Sequence, residues 1–253
     1  MADALLRVDN LSKHFGGIRA TDGLSLDLRP GELHAIIGPN GAGKTTLIAQ
    51  LTGLLRPDSG TIHFAGEDIT TTPAHERCLK GLARSFQITS LFLDLTVLEN
   101  VMLAVQAHAG HSFRFGKPAR DQKALWEPAM QALSRVGLAD RANVPASVLN
   151  HGGCRELELA MALAGKPRLL LLDEPMAGAA PEQSARMVEM LRELKKDVAI
   201  LLVEHDMEAV FALADRITVL VYGRVIATGK PDEIRANAQV REAYLGEQEA
   251  TDA

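Results

Sequence analysis

Cysteine is scarce in this chain: only Cys78 and Cys154 occur among 253 residues. Their spacing matches neither a metal-binding nor a redox pattern, which argues against a disulfide scaffold and a thiol centre and fits a reducing compartment. Positive charge is not in excess either. Lys and Arg number 27 against 32 Asp and Glu, giving a net charge of -5 and a pI of about 5.9. The chain therefore has no global basic field for nucleic acid, and no nucleic-acid partner is expected. Long hydrophobic runs are missing. The longest, such as Val198 to Val203, are strand-sized, far short of the roughly 20 residues a membrane helix requires. The start, Met1-Ala2-Asp3-Ala4-Leu5, has neither the basic nor the apolar region of a signal peptide. Repeats and low-complexity tracts are absent too. What remains is a chain expected to be soluble and cytoplasmic, whose 47% hydrophobic content suits one large α/β domain or a core with a smaller lobe.

What is present begins with Gly38-Pro39-Asn40-Gly41-Ala42-Gly43-Lys44-Thr45-Thr46. This fits the phosphate-loop pattern G-x-x-x-x-G-K-[ST] without a gap. The apolar run Leu33 to Ile37 precedes it at strand length, and Thr46 to Leu51 continues as a helix. Phosphate needs a concave ring of backbone N–H groups, and Gly38, Gly41 and Gly43 let the chain curl that tightly. The helix N-terminus adds partial positive charge. Lys44 is positioned to reach the β- and γ-phosphates, and the Thr45 hydroxyl to ligate Mg²⁺.

Around the loop, Leu5–Val8 and Leu24–Leu28 read as strands. Phe15, just before Gly16-Gly17, is either a ring for stacking adenine or a core phenylalanine. Thr61 to Phe64 reads as a strand into the Ala65-Gly66 turn. After Gln87 the pattern turns helical, from Leu91 to Val105 and from Gln122 to Val136, with Gly137 as a helix end. Residues 108 to 120, which include His108 and His111, read as a solvated loop. Leu149-Asn150-His151-Gly152-Gly153 leads into a helix through Ala164.

Residues 167 to 175, P-R-L-L-L-L-D-E-P, form an apolar run ending in two acids. Such a run suits a parallel strand buried on both faces, and ligands gather at the carboxyl ends of such strands. Asp173 suits Mg²⁺, and Glu174 suits a base that deprotonates the attacking water. Pro181 opens a helix with Ala185, Val188, Leu191 and Leu194 on one face. The strand Val198 to Val203 then ends in Glu204 and His205, the histidine being set to meet a γ-phosphate. Ile217 to Ala227 reads as a hairpin about Tyr222-Gly223.

In this order and spacing, the set resembles the ATP-binding cassette (ABC) ATPase family over nearly the whole chain. Phe15 matches the adenine-stacking aromatic, Gly38 to Thr45 the Walker A loop, and Gln87 the glutamine at the junction with the helical lobe. Leu149 to Gly153 falls at the signature, Leu169 to Asp173 at Walker B, Glu174 at the catalytic glutamate and His205 at the switch histidine. The resemblance implies a P-loop NTPase with a mixed, RecA-like sheet core, an antiparallel β subdomain and a small α-helical subdomain. Residues 1–87 and 165–253 would form the first two and 88–164 the third. It implies catalysis by Glu174, His205 and Gln87, with Mg²⁺ held by Thr45, Gln87 and Asp173. ATP would lie in a head-to-tail dimer between residues 38–46 of one cassette and Asn150, Gly152 and Gly153 of another. Partners would be permease subunits, a second ABC ATPase and, indirectly, an extracytoplasmic solute-binding protein, with the chain peripheral on the cytoplasmic face of the membrane.

Glu204-His205-Asp206-Met207 and the ending Val240 to Gly246 resemble the branched-chain amino acid importer group. The lipopolysaccharide-export cassette has a similar tail, and a weakly hydrolysing non-transport cassette is a further alternative. The departures from the family pattern are Asn150 for serine, Gly153 for glutamine, and Ala177-Gly178-Ala179-Ala180 where relatives keep an aspartate. They bear on hydrolysis and dimer coupling.

Overall fold

The computed structural model describes residues 4–84, 91–109 and 122–243. Two sheets carry it. The first is antiparallel, in the order β2(Ile18–Leu28), β1(Leu6–Phe15), β4(Ser59–Phe64), β5(Glu67–Asp68). The second runs β10(Arg224–Gly229), β9(Arg216–Val221), β3(Leu33–Ile37), β8(Ala199–Val203), β7(Leu169–Asp173), β6(Leu82–Arg84). All its neighbours are parallel except the β9–β10 hairpin at one edge. This is the expected α/β class with a mixed sheet and an antiparallel layer.

The strand period of two divides the apolar residues of the central strands between two cores. Leu33, Ala35 and Ile37 of β3, Leu170 and Leu172 of β7, and Ile200 and Leu202 of β8 face one side. There they meet α3(Val97–Ala109), α4(Lys123–Arg135), α5(His151–Ala164), α6(Pro181–Leu194) and α7(Met207–Leu213). Ile36, Leu169, Leu171, Leu201 and Val203 face the other side, packing with α1(Lys44–Thr52) and the antiparallel sheet. Because β3, β7 and β8 are buried at every position, they read as largely apolar runs, broken by His34 in β3 and ended by Asp173 in β7.

Two of the two-residue turns have the geometry their sequences favour. Ala65-Gly66 joins β4 to β5 and Tyr222-Gly223 joins β9 to β10, each with positive φ at both residues, the conformation whose twist matches that of paired strands.

The fold departs from the sequence expectations in several places. β1 and β2 extend to Phe15 and from Ile18, beyond the short strands read from the alternation, because register shifts break the alternation after Val8. β6 and α2(Ala74–Leu79) were not expected at all. Ala185 is exposed and the buried stripe of α6 runs through Met187, Leu191 and Leu194. His108, read as part of a solvated loop, lies in α3 with its Nε2 3.7 Å from Cys78 Sγ. A side chain at Gly165 would strike its ring. The contact between elements distant in sequence decides its burial. His111 and the rest of that stretch through residue 121 lie outside the described residues, as do Gln87 and the end of the chain from Tyr244.

Candidate functional site

The phosphate loop joins β3 to α1, and its surroundings explain its glycines individually. A Cβ on Gly38 would stand 2.1 Å from the Leu220 carbonyl oxygen, and one on Gly43 2.0 Å from that of Ala20. The loop is thus wedged between β9 and β2. The hairpin turn clamps it as well, through Gly223 N–H donating to Ala42 O at 2.9 Å and Asp22 N–H to Gly223 O at 2.9 Å. Gly43 is the N-cap of α1 and contributes no side-chain cap, so the first-turn amides face outward without a capping oxygen. Buried Lys44 donates to the carbonyls of Gly38 and, at 2.9 Å, Pro39. Thr45 is exposed at the helix start. Pro39, Asn40, Gly41, Ala42 and Thr46 complete the loop.

The far end of α1 is held by a residue the sequence reading missed. Arg77, fully buried in α2, donates to the carbonyls of Gln50 (2.8 Å), Leu51 (2.7 Å), Thr72 (2.8 Å) and Thr70 (3.0 Å). Burial lowers its pKa to about 10, which still leaves it charged at neutral pH. Two orphan carbonyls of the helix C-terminus thereby find a cationic donor.

Phe15 sits at the tip of the β1–β2 hairpin and is 51% exposed. The core alternative is overturned by that exposure: an available ring lies on the hairpin whose Ala20 covers the loop, with Lys13 Nζ 5.8 Å from its centroid.

The acids lie at the carboxyl ends of adjacent strands. Asp173 ends β7, with its side chain only 2% exposed and its Oδ2 accepting from Arg84 Nη2 at 3.1 Å. Burial pushes its carboxyl above the usual range, the Arg84 guanidinium opposes that shift, and the neighbouring Glu174 adds to it. Glu174 follows with φ at 51°, an uncommon conformation for a residue other than glycine. Its N–H donates to Val203 O at 2.8 Å. His205 Nδ1, from the end of β8, lies 3.9 Å from Glu174 Oε1. Two strand ends some thirty residues apart in sequence are so brought together by the β7–β8 pairing, in which Asp173 opposes Val203.

Glu204 does something the sequence did not signal. It is 1% exposed and turned away from solvent. Its Oε1 accepts from Met176 N–H at 2.8 Å and its Oε2 from His205 N–H at 3.0 Å. The carboxylate staples the loop after Glu174 to the loop carrying His205, a charge-assisted brace.

Asn150 is the N-cap of α5, its Oδ1 accepting from Gly153 N–H at 2.8 Å. Since the amide N–H must face oxygen, the NH₂ end points away as a donor. Gly152 lies against Gln183 of α6, where an added Cβ would come within 3.3 Å. Arg155 donates to the Ala177 carbonyl, and Glu156 pairs with Arg186 at 3.4 Å. Helix α5 is thus tied directly to the loop leaving Glu174. Its own residues are not brought onto the Lys44 loop within this chain: Asn150, Gly152 and Gly153 line a cavity of about 170 Å³ with Met176, Gln183 and Arg186.

A family model described as ABC transporter matches residues 21–177. The chain belongs to the ABC transporter family. A second model, for branched-chain amino acid ATP-binding cassette transporters, matches residues 224–250. Among curated relatives, the high-affinity branched-chain amino acid transport ATP-binding protein BraF of Pseudomonas aeruginosa is 38% identical, the match covering 98% of this chain and all of the relative. The protein LivG of Salmonella typhimurium, of the same description, is 40% identical over the same shares. Among solved structures, the ADP conformation of an ATP-binding cassette of an ABC transporter superposes with a TM-score of 0.85 at 30% identity, over 96% of this chain and 99% of that one. A nucleotide-free cassette gives 0.84 at 29%, over the same shares. This ABC cassette is an ATP-hydrolysing subunit of a membrane transporter. Among the described residues no helix is long and apolar enough to cross a membrane.

Proposed function

We propose that this cassette powers the uptake of branched-chain amino acids or related small solutes. The observation that carries the catalytic part is the meeting of Glu174 and His205, 3.9 Å apart, at the ends of paired β7 and β8. The full-length similarity to BraF and LivG and the family match over residues 224–250 support the substrate class.

In this reading ATP lies along residues 38–46 with its base on Phe15. The outward first-turn amides of α1 and the Lys44 ammonium, released from its loop carbonyls, take the phosphates. Glu174 orients the attacking water and accepts its proton, while His205 holds the γ-phosphate and Glu204 keeps the two loops in register. Mg²⁺ fits the residues present: Thr45 offers an exposed hydroxyl, and Asp173 offers a buried carboxylate that already draws a cationic side chain. Thr45 and Asp173, with Gln87, would hold the ion. When bound, it neutralises charge on the β- and γ-phosphates.

We further assign residues 1–87 and 165–253 to the β-rich and RecA-like core and 88–164 to the helical subdomain, supported by the mutual packing of α3, α4 and α5. The subdomain would dock a permease on the cytoplasmic face of the membrane. Asn150, Gly152 and Gly153 would close the ATP site of a second cassette, whether a copy or a relative, and a solute-binding protein would deliver the cargo. The test is reconstitution with candidate branched-chain amino acid permease and binding proteins. ATP turnover should rise when the binding protein carries leucine. No assembly with those permeases, or turnover indifferent to any amino acid, would refute import of this class.

A further inference from the structure

Two partly buried arginines of this chain are held very differently. Arg216 engages Glu32 through Nε at 2.7 Å and Asp27 through Nη1 at 2.9 Å and Nη2 at 3.0 Å. That multidentate grip is what a permanent structural pair uses. Arg84, the last residue of β6, has its side chain only 17% exposed yet, among the described residues, makes a single hydrogen bond, from Nη2 to Asp173 at 3.1 Å. Its Nε is buried with no hydrogen-bond partner among the described residues. A buried donor left unsatisfied opposes the arrangement, so the hold on Asp173 is a releasable one. Its target is also the carboxylate assigned above to Mg²⁺.

We propose that Arg84 is a stand-in cation for the metal position: its guanidinium holds Asp173 until Mg²⁺ arrives with ATP, and the two then compete for that carboxylate. The inference rests on the reading of Asp173 as a metal ligand. Opposite charge must sit beside a carboxylate this deeply buried, because an unpaired one is costly. Arg84 meets that need without Mg²⁺, and Mg²⁺ binding must displace it. ATP without metal leaves the pair intact. The guanidinium therefore narrows the difference between the affinities for Mg·ATP and for metal-free ATP. It is a positioning residue, with no contact to the reacting atoms.

The experiment is calorimetric titration of the full chain with ATP, in excess Mg²⁺ and in EDTA. It is run in the Glu174→Gln background to prevent turnover, with thermal unfolding as a check on folding. Arg84→Gln should raise the ratio of the two affinities about tenfold, and Arg84→Lys, shorter and singly pointed, by less. An unchanged ratio in the variants that fold would overturn the proposal. So would equal weakening with and without metal, which would place the guanidinium on a phosphate instead. Should Arg84→Gln fail to fold, Arg84→Lys decides alone. Should the parent bind no ATP, or bind it equally with and without Mg²⁺, the nucleotide or metal reading itself fails, an outcome distinct from a Mg²⁺-dependent parent with unaltered variants.

Discussion

Glu174 occupies a left-handed backbone conformation at the junction of a buried strand and an outward loop. Its carboxylate is proposed as the base, so the isosteric Glu174→Gln keeps the shape and removes the basicity. Turnover should fall by about 10²-fold or more, with ATP affinity preserved; a parallel loss of affinity would assign the residue to binding instead. Lys44 answers the opposite question. It is buried and satisfied by its own loop carbonyls, so its charge is available to the phosphates only by exchange of partners. Lys44→Ala removes charge-assisted hydrogen bonds of roughly 1.5–3 kcal/mol, and a binding titration should show ATP affinity reduced about tenfold or more. These two roles were legible in the sequence because each depends on a short local pattern. Arg84 and Glu204 were not, since their partners lie 89 and 28 residues away and only strand pairing brings them together.

Among the elements, β3 carries an unusual passenger. His34 is fully buried within the strand, its Nε2 2.8 Å from Thr218 Oγ1 of β9 and its Nδ1 3.1 Å from Asp27 O. The carbonyl can only accept, so Nδ1 carries the proton and Nε2 accepts from the threonine hydroxyl. Burial lowers the pKa of the ring from 6.5 to about 4. The unfolded chain therefore binds a proton that the folded one refuses, and stability is lost as pH falls from about 6.5 toward 4. The cost reaches on the order of 2 kcal/mol at pH 5. Denaturant unfolding at pH 7 and pH 5 should show that loss in the parent, and His34→Gln should flatten it; equal pH slopes would reject the histidine as its source. Arg77 supports the neighbouring α1 by neutralising its last carbonyls. Arg77→Met should leave several of them unsatisfied and destabilise the fold by on the order of 3 kcal/mol, read as a lowered midpoint in the same assay. Neither His34 nor Arg77 was marked in advance. Arg77 belongs to a short helix, α2, without a clear apolar period, and its importance comes from the carbonyls it meets.

At the scale of the molecule, one sheet separates two cores and places every strand end of the site on one edge. The Lys44 loop, Asp173, Glu174 and His205 gather there, whereas Asn150 to Gly153 open onto a different cavity. In the proposed closure one chain supplies two half-sites, and a second cassette completes each. Shifting such a closure from about 1:99 to 99:1 takes roughly 5.5 kcal/mol of differential binding, a demand two sandwiched triphosphates can meet. The Glu174→Gln chain, or its complex with the permease, should gain a cassette–cassette contact on ATP addition and lose it when ATP is removed, as followed by sedimentation or cross-linking. A contact independent of nucleotide would contradict the sandwich. The Asn150 oxygen caps α5 and leaves its amide NH₂ free of that bond, so in the proposed sandwich it can donate to a phosphate.

By itself the sequence determined the phosphate loop, the acids at the end of an apolar run, the α/β class and the principal helices. Each is written in contiguous residues, through steric freedom at glycine or the period of apolar side chains. The tertiary structure alone decided which residue covers which carboxylate or carbonyl: Arg84 on Asp173, Glu204 across two loops, Arg77 on α1 and His34 against Thr218. It also separated Phe15 from the core. Those outcomes depend on parallel strand register and on burial, which join positions far apart in the chain and leave no local period to read.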